Sequence, residues 1–436
     1  MRSYEFIENA PCVLDDVEII STLGINCGFV WCDEIKPKDI KSIGELLNLA
    51  EKLHIKQLWI LPGCKVFNYF KRYHKKVMRE RGEWKVKPDT LNNLITGWRE
   101  GINNSRVQII FPNIVTDQWE LTGINTALDL FQLIERLQAK LNVPVTLPVR
   151  TGRALALASM NRKLEPVQSD LSIFREHIEQ DYIWRREPDE RERACKFLHV
   201  YDKRKMYFTA SNIPLGCNSY EHITDAKWNY WKEIKDNRAG LFRVKQVTGI
   251  HKDLIPYFNQ GEWMYTPLVR QLQPLALSLE ISEACLFTST NRHLEGFYNV
   301  MRGALAAAPK GSPDEAWLKN IYTQFFGWML HQPTNGRAEI LYRPDWRNMI
   351  VSEAKARLLI NILAVHKALN MLPVGVRVDA LFYFSDVPDA STAVPLGSQF
   401  KSYTVDAATA LPMFDAGDSI AKIDNTLQRM VRDAEM

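Results

Sequence analysis

The sequence predicts an α+β protein in which an α/β N-terminal part precedes a second block of strands and helices. Two observations carry this prediction. Short apolar strand segments alternate with helix-like segments through residues 1–115, and from residue 197 onward strands bearing isolated carboxylates alternate with amphipathic helices. The length of 436 residues corresponds to about three structural units at roughly 150 residues each.

The prediction for the N-terminal part rests on four segments and on a mixed-charge stretch that follows them. Three apolar segments have strand character and one has apolar residues at helical spacing. A mixed-charge stretch then separates this part from the second block, so we expect an α/β domain over residues 1–182 and a connector over 183–196. The strand segments are GFVWC (28–32), QLWILPG (57–63) and RVQIIFP (106–112), and the helical one is SIGELLNLAEKLH (42–54).

Composition narrows the classes of protein. Hydrophobic residues make up 46% and charged residues 24%, which is ordinary for a globular chain, and the formal net charge is only +4. The seven cysteines form no CxxC pair, which argues against a zinc site. No apolar run approaches the ~20 residues that span a bilayer, so we expect a cytoplasmic protein that does not bind membranes.

The charge is unevenly distributed. Residues 65–90 carry nine Lys/Arg against three acidic residues, with aromatic residues interleaved. Cations that neutralise phosphates and rings that stack on bases suit a nucleic-acid strand. A solvated amphipathic helix whose aromatic residues face a core gives the same pattern, so both interpretations stay open. The nucleic-acid interpretation rests on Lys71, Arg72, Lys75 and Lys76.

The second block places two carboxylates in apolar β segments. A strand at residues 197–201 is followed by Asp202, and Tyr207 comes five residues later. A second apolar segment, VGVRVDALFYFSD, carries Arg377 and Asp379 in its middle. A carboxylate inside an apolar strand is costly to bury unless something neutralises it, and a divalent cation does so. Pairing of Asp379 with Arg377 would do so as well.

Two helices between these carboxylates carry candidate phosphate-binding cations. The sequence predicts one helix from about residue 293 and a second beginning near Asp314, which we predict as its N-cap. Antiparallel packing would bring Arg302 and Lys319 towards one side. A planar guanidinium fork and a compact ammonium together suit a triphosphate.

In this order the segments resemble family B DNA polymerases of the protein-primed, mobile-element type. Asp202 to Tyr207 is similar to the family's Asp-x-x-Ser-Leu-Tyr motif, and Lys319 to Gly327 to its Lys-x-x-x-Asn-Ser-x-Tyr-Gly helix. Residues 377–379 (Arg-Val-Asp) resemble its Asp-Thr-Asp hairpin, and residues 401–403 (Lys-Ser-Tyr) its Lys-x-Tyr. The resemblance implies a palm over 197–405 with fingers helices near 293–330, and a reduced helical thumb over 406–436.

The resemblance also implies a reaction. Asp202 and Asp379 would hold two Mg²⁺ or Mn²⁺ ions for template-directed nucleotidyl transfer. The implied partners are DNA, as primer–template or single strand, and dNTPs. The implied setting is replication of a plasmid, phage or other mobile element, with a terminal or accessory replication protein as a further partner.

The resemblance also implies a contact with nucleotide or primer for each of the other matched residues. Lys319 and Arg302 would bind the triphosphate, Tyr207 would exclude a ribose 2′-hydroxyl, and Lys401 and Tyr403 would contact the primer. The chain departs from the family's pattern at two places. Thr323 and Gln324 stand where the fingers helix has Asn-Ser, and Arg377 stands where the hairpin has its first Asp. These departures keep an alternative open: a catalytically inactive polymerase fold that binds nucleic acid as a replication or regulatory factor.

The family carries a proofreading exonuclease where this chain has its N-terminal part. Asp33-Glu34 and Asn125-x-x-x-Asp129 are similar to its carboxylate motifs, with spacing and order that depart from the pattern. We therefore expect a degenerate exonuclease-like or a different α/β domain rather than an active nuclease.

Overall fold

The computed structural model describes residues 119, 121–124, 127–160, 170–203, 205–224, 238–250, 254, 263–331 and 340–389, and the backbone of five further strands. The strands, in chain order, are β1 Pro11–Asp15, β2 Gly28–Phe29, β3 Gln57–Ile60, β4 Gln108–Ile110, β5 Ile183–Arg185, β6 Phe197–Lys203, β7 Leu215–Ile223, β8 Gly240–Thr248, β9 Trp263–Tyr265, β10 Ser278–Asn291, β11 Gly375–Arg377, β12 Ala380–Ser385 and β13 Tyr403–Ala410. The helices are α1 Ala127–Leu141, α2 Pro148–Ser159, α3 Ser172–Glu176, α4 Glu190–Arg193, α5 Met206–Ala210, α6 Thr266–Leu272, α7 Glu295–Ala306, α8 Pro313–Trp328 and α9 Pro344–Leu369.

The chain divides into two compact units. The first comprises Met1–Arg162 with Leu294–Trp328, and the second comprises Lys163–His293 with Met329–Met436. The predicted helix pair, now α7 and α8, therefore belongs to the same unit as the N-terminal residues. Among the described residues, no helix is both long and apolar enough to cross a membrane.

The first unit contains a four-stranded sheet in the order β2-β1-β3-β4. β2 runs antiparallel to β1, whereas β1, β3 and β4 are parallel to one another. Strands β2, β3 and β4 lie within the three segments predicted from the sequence. Strand β1 was not predicted, because a short run that begins with Pro11 and ends at Asp15 lacks the length and alternation of a strand signal. The predicted helix over residues 42–54 lies outside the described residues.

Four helices of the first unit pack closely. The ring of Trp317, in α8, stacks on the ring of Trp119 with their centroids 4.1 Å apart. Gly152 of α2 meets α8, where a Cβ would lie 2.6 Å from the Cβ of Phe325. α7 contributes Phe297, whose ring centroid is 5.1 Å from that of Phe325. Burial of these large apolar side chains, rather than helix propensity, stabilises the bundle.

The N-terminus of α8 differs from the prediction. The helix begins at Pro313, so Asp314 lies in the first turn and is not the N-cap. Its carboxylate instead accepts hydrogen bonds from Arg136 Nη2 (3.0 Å) and Lys140 Nζ (3.2 Å) of α1. The Oγ of Ser312 accepts from the backbone N–H of Glu315 at 3.3 Å, which is the capping contact. The two cations lower the pKa of Asp314 despite its burial, which raises it.

The second unit is built on a five-stranded antiparallel sheet in the order β13-β6-β12-β11-β5. The long helix α9 contributes Leu358, Leu359 and Ile362 to the core beneath it. Tyr201 of β6 and Tyr383 of β12 face that core, with ring centroids 6.0 Å apart. A second antiparallel sheet, in the order β7-β10-β8-β9, completes the unit.

The second unit is thus a mixed α+β assembly with antiparallel sheets, in agreement with the predicted class. The interior strand β6 has the burial expected for its position, since Leu198 and Tyr201 are 1% and 0% exposed. Strand β13 runs to Ala410, past the predicted palm boundary at residue 405, and residues 411–436 lie outside the described part of the chain. The predicted domain boundaries otherwise stay a prediction.

Candidate active site

Asp202 occupies the penultimate position of β6, an interior strand of the five-stranded sheet, between β13 and β12. Neighbouring side chains of a strand point to opposite faces. Tyr201 is fully buried towards α9, so Asp202 lies on the other face, where it is half-buried. Asp202 pairs with Ala380 of β12 on one side and with Thr404 of β13 on the other. The carboxylate therefore projects from the middle of the sheet rather than from a free edge.

Asp379 lies in the two-residue turn that joins β11 to β12, directly before Ala380. Its carbonyl oxygen accepts a hydrogen bond from the backbone N–H of Lys203 at 3.0 Å. Because Ala380 is also the partner of Asp202, Asp379 lies in the turn directly before the strand that pairs with β6. That the two carboxylates come close enough to share a metal ion stays a prediction.

The turn itself has an unfavourable backbone conformation. Val378 has a φ of 57°, a left-handed conformation that β-branched residues rarely adopt. Its N–H donates to the carbonyl oxygen of Tyr182 at 2.6 Å, which holds the turn against the segment before β5. Unfavourable backbone of this kind persists where the surrounding contacts fix it, and such positions concentrate at functional sites.

Arg377 is aligned with Asp202 across the sheet. Arg377 pairs with Ala380, which in turn pairs with Asp202, so the three residues form one row on one face. Two strand spacings separate Arg377 from Asp202, about 10 Å between their Cα atoms. The Arg377 side chain is exposed. The register thus brings a cation to the face that bears the Asp202 carboxylate.

Tyr207 belongs to the short helix α5 that follows β6. Its phenol hydroxyl donates a hydrogen bond to the carboxylate of Asp181. Burial, and then the negative charges of Asp181 and Asp379, hold the pKa of Tyr207 well above its ordinary value. A raised pKa keeps the hydroxyl protonated, as its hydrogen bond to Asp181 requires.

Asp181 is a residue that the sequence did not single out. It precedes β5 in a segment without a motif, and only the folded chain brings it to Tyr207. Its neighbour Glu179 is buried and pairs with Lys355 of α9. Burial raises the pKa of Glu179, and the Lys355 ammonium opposes that rise. The Arg347 guanidinium also donates to the Glu179 backbone carbonyl.

Lys203, the residue after Asp202, is a second unpredicted feature. It lies on the α9 side of the sheet and is 7% exposed. Burial, followed by the charge of Arg357, lowers the pKa of Lys203 from 10.5 to about 8, while Glu353 raises it. Arg357 Nε donates to Glu353 at 2.7 Å, and its Nη1 donates to the carbonyl of Thr209 at 2.6 Å. The strand thus carries a carboxylate on one face and, on the other, a buried amine whose pKa is lowered.

The candidate triphosphate-binding residues lie in the first unit. Lys319 and Arg302 are both exposed, on α8 and α7 respectively. The Arg302 guanidinium lies 5.5 Å from the centroid of the Tyr298 ring. Lys319, Thr323 and Gly327 form an exposed stripe on α8 at intervals of four residues. The stripe is open to ligand, and the roles of Lys319 and Arg302 stay predictions.

The donor chemistry of the two aspartates suits a hard cation. Mg²⁺ in proteins is bound through one or two carboxylates together with waters and substrate phosphates. Asp202 on β6 and Asp379 in the turn before β12 supply two carboxylates, and this donor set fits that pattern. Among the described residues, no group of three or more His, Cys, Asp or Glu side chains forms a metal cage.

Several predicted site residues fall outside the described part of the chain. They are Lys71, Arg72, Lys75, Lys76 and Lys401 in the nucleic-acid prediction, and Asp33, Glu34 and Asn125 in the exonuclease comparison. Tyr403 begins β13 and pairs with Lys203 through its backbone. Asp129 lies in the first turn of α1.

No protein-family model matches the sequence, and no curated protein does. Among solved structures, the chain is similar to phi29 DNA polymerase. The orthorhombic crystal form of that enzyme matches at 10% identity and a TM-score of 0.43, over 88% of this chain and 82% of the other. Its post-translocation binary complex with primer–template DNA matches at 12% identity and 0.43, over 87% and 81%.

A third structure, phi29 DNA polymerase complexed with single-stranded DNA, matches at 9% identity and a TM-score of 0.39. It covers 61% of this chain, and the chain spans about half of its length, 52%. These scores are too low to assign a function. Any function has to come from the residues of the chain itself.

Proposed function

We propose that the protein binds DNA and catalyses Mg²⁺- or Mn²⁺-dependent, template-directed nucleotidyl transfer from dNTPs. The observation that carries the proposal is the pairing of Asp202 with Ala380, the residue next to Asp379, in the five-stranded sheet of the second unit. Two carboxylates carried by neighbouring segments of one sheet are the kind of ligands that two-metal chemistry uses.

In this proposal Asp202 and Asp379 are the metal ligands. When bound, two divalent ions activate the primer 3′-hydroxyl and stabilise the pyrophosphate leaving group. The chain fixes the two carboxylates through backbone hydrogen bonds rather than through flexible loops. The Lys203 N–H bond to Asp379 and the Val378 N–H bond to Tyr182 hold the turn. Rigid placement of charged groups is what makes them effective in a transition state.

The nucleotide and the DNA would be bound by other residues. Lys319 and Arg302 are exposed cations that would bind the triphosphate, and Tyr207 would form the wall against a ribose 2′-hydroxyl. We assign the DNA backbone to the basic stretch 65–90, and the primer to Lys401 and Tyr403. A terminal or accessory replication protein of a mobile element is the proposed protein partner.

Primer extension with Mg²⁺ or Mn²⁺ tests the proposal. The wild-type protein should extend a primer, and Asp379→Asn should abolish extension because the isosteric amide removes the charge that holds the ion. Asp386→Asn, at an exposed aspartate just after β12, is the matched control and should remain active. Lys319→Ala should raise the KM for dNTP, whereas Lys196→Ala, at an exposed lysine before β6, should not. Extension that survives Asp379→Asn would contradict the proposal.

The DNA-binding part has its own test. Replacing Lys71, Arg72, Lys75 and Lys76 together by Ala should weaken binding and flatten its dependence on salt, because fewer counterions are released. An unchanged slope of log K against log salt would assign residues 65–90 to a solvated helix. Loss of extension without any change in DNA affinity would likewise remove this stretch from the binding surface.

A second candidate function is favoured by the position of Arg377. Its place in one row with Asp202 puts a cation on the face where the metal ions would bind. A protein that retains the palm only as a scaffold for binding nucleic acid would tolerate such a cation. Arg377→Asp separates the two functions: a gain in extension or in metal affinity supports the enzyme. A wild-type protein and an Arg377→Asp variant that both bind DNA and extend nothing support the scaffold.

A further inference from the structure

One short segment contacts both sides of the candidate site. Asp181 accepts the hydroxyl hydrogen of Tyr207, and the carbonyl of the next residue, Tyr182, accepts the N–H of Val378 in the turn that carries Asp379. Two neighbouring residues, directly before β5, thus contact the Tyr207 side chain and the turn that carries Asp379. Contacts of this kind couple the geometry of the two features.

Residues 179–182 are themselves held by buried contacts with α9. Glu179 is 8% exposed and pairs with Lys355 of α9, whose ammonium lies 4.3 Å from the centroid of the Tyr182 ring. The N–H of Glu179 donates to the amide oxygen of Asn348 at 3.1 Å. A fully buried ion pair and a buried hydrogen bond give residues 179–182 little freedom, since breaking them leaves charge or polar groups unpaired. Asp181 is therefore presented to Tyr207 from a rigid support.

We propose that Asp181 is a positioning residue: it holds the Tyr207 ring in place through the phenol hydroxyl and thereby sets the discrimination between deoxyribonucleotides and ribonucleotides. This rests on the proposed function. A ring that rotates freely about its side-chain bonds can move aside and admit a ribose 2′-hydroxyl. A ring whose hydroxyl is also hydrogen-bonded cannot move aside without breaking that bond. A hydrogen bond between a phenol and a carboxylate is charge-assisted and therefore among the stronger ones available. The raised pKa of Tyr207 keeps its hydroxyl protonated as the donor.

The test compares single-nucleotide incorporation of a dNTP and the matching rNTP in the full-length protein. Asp181→Ala should raise the ratio of kcat/KM for rNTP over dNTP by about tenfold, the scale set by losing one charge-assisted hydrogen bond. Asp181→Asn retains an acceptor oxygen and should keep most of the discrimination. Glu187→Gln, an isosteric loss of charge at an exposed position just after β5, is the control and should leave the ratio unchanged.

A double-variant cycle separates positioning from a general structural effect. Tyr207→Phe removes the same hydrogen bond, so adding Asp181→Ala to it should change the ratio no further. A purely structural role for Asp181 would lower the rates for both nucleotides equally and leave their ratio constant. If Asp181→Ala does not fold, Tyr207→Phe alone removes the same hydrogen bond and should raise the ratio by a similar factor, whereas an unchanged ratio would overturn the positioning role.

The outcomes distinguish failure of the positioning role from failure of the proposed function. An active Asp181→Ala protein with wild-type discrimination overturns the positioning role and leaves the proposed function in place. Full additivity of Asp181→Ala and Tyr207→Phe also overturns it. A wild-type protein that incorporates neither nucleotide with either metal overturns the proposed function and, with it, this inference.

Discussion

Gly327 offers a prediction in which stability and activity change in opposite directions. It ends the exposed stripe that Lys319 and Thr323 begin on α8, and a Cβ added to it would meet nothing within 4 Å. A glycine in a helix costs up to about 1 kcal/mol relative to alanine. Gly327→Ala should therefore raise the free energy of unfolding by up to that amount, which is about 2 °C in Tm for a chain of this size.

The same substitution should impair the proposed reaction. If the stripe is where the nucleotide or DNA approaches α8, the new methyl group occupies ligand space. Overpacking costs ~1–3 kcal/mol, so kcat/KM for dNTP should fall by roughly tenfold or more. Primer extension at varied dNTP concentration measures this change, and urea unfolding measures the stability.

Gly303 is the matched control for Gly327. It lies within α7 and a Cβ there would also meet nothing within 4 Å, but it is not on the stripe that ends at Gly327. Gly303→Ala should give the same gain in stability with no loss of activity. The reasoning fails if both variants keep full activity, or if both lose it to the same extent.

Three further predictions concern packing and charge. Gly296→Ala should destabilise the protein by at least about 1–3 kcal/mol in urea unfolding, because its Cβ would lie 2.0 Å from the backbone oxygen of Ser159; a stable variant would refute this contact. Lys203→Met should stabilise the protein at pH 7 by up to about 3 kcal/mol, since the folded-state pKa is lowered to about 8 and the charge is buried. That advantage should diminish as the pH rises from about 8 towards 10.5, where folded wild-type protein loses the charge first, and Lys196→Met should show no such trend. Asp345→Asn should cost ~3–5 kcal/mol, measured by urea unfolding, because it leaves the guanidinium of a fully buried ion pair without its charge partner; a change below about 1 kcal/mol would contradict it.

Local patterns predicted many of the elements correctly. The apolar runs at 57–63 and 106–112 contain β3 and β4, and the segment around Asp379 is a hairpin, as its apolar sequence indicates. Periodicity works here because each run is long enough to bury one face or both. It failed for the start of α8, where both Ser312 and Asp314 are favourable caps by residue type. Tertiary contacts with the two cations of α1 decided that Asp314 pairs instead.

Long-range contacts explain what the sequence did not predict. Asp181 and Tyr207 are 26 residues apart, and nothing in the local sequence around Asp181 marks it as a partner of the site. The grouping of α7 and α8 with the N-terminal unit is equally non-local. An ordered set of weak motifs led to the prediction that Asp202 and Asp379 share a site, and the register shows that the strand following Asp379 pairs with β6. Strand register, which decides the row shared with Arg377, has no signal in either strand alone.

The effect of Arg377 on the candidate metal site follows from its exposure and register. Its Cα is about 10 Å from that of Asp202, so a guanidinium that stays above its own strand would lie roughly 10 Å from a metal ion held at Asp202. At that distance the repulsion per unit of ion charge is about 2 kcal/mol with an effective dielectric constant near 20, and well under 1 kcal/mol in water. The side chain is exposed, so solvent and salt reduce the repulsion towards the lower value. In the proposed enzyme, two carboxylates and the substrate phosphates would outweigh a cost of that size, so Arg377 would weaken metal binding without preventing it. The position of Arg377 is therefore compatible with both candidate functions, and the Arg377→Asp variant is the experiment that separates them.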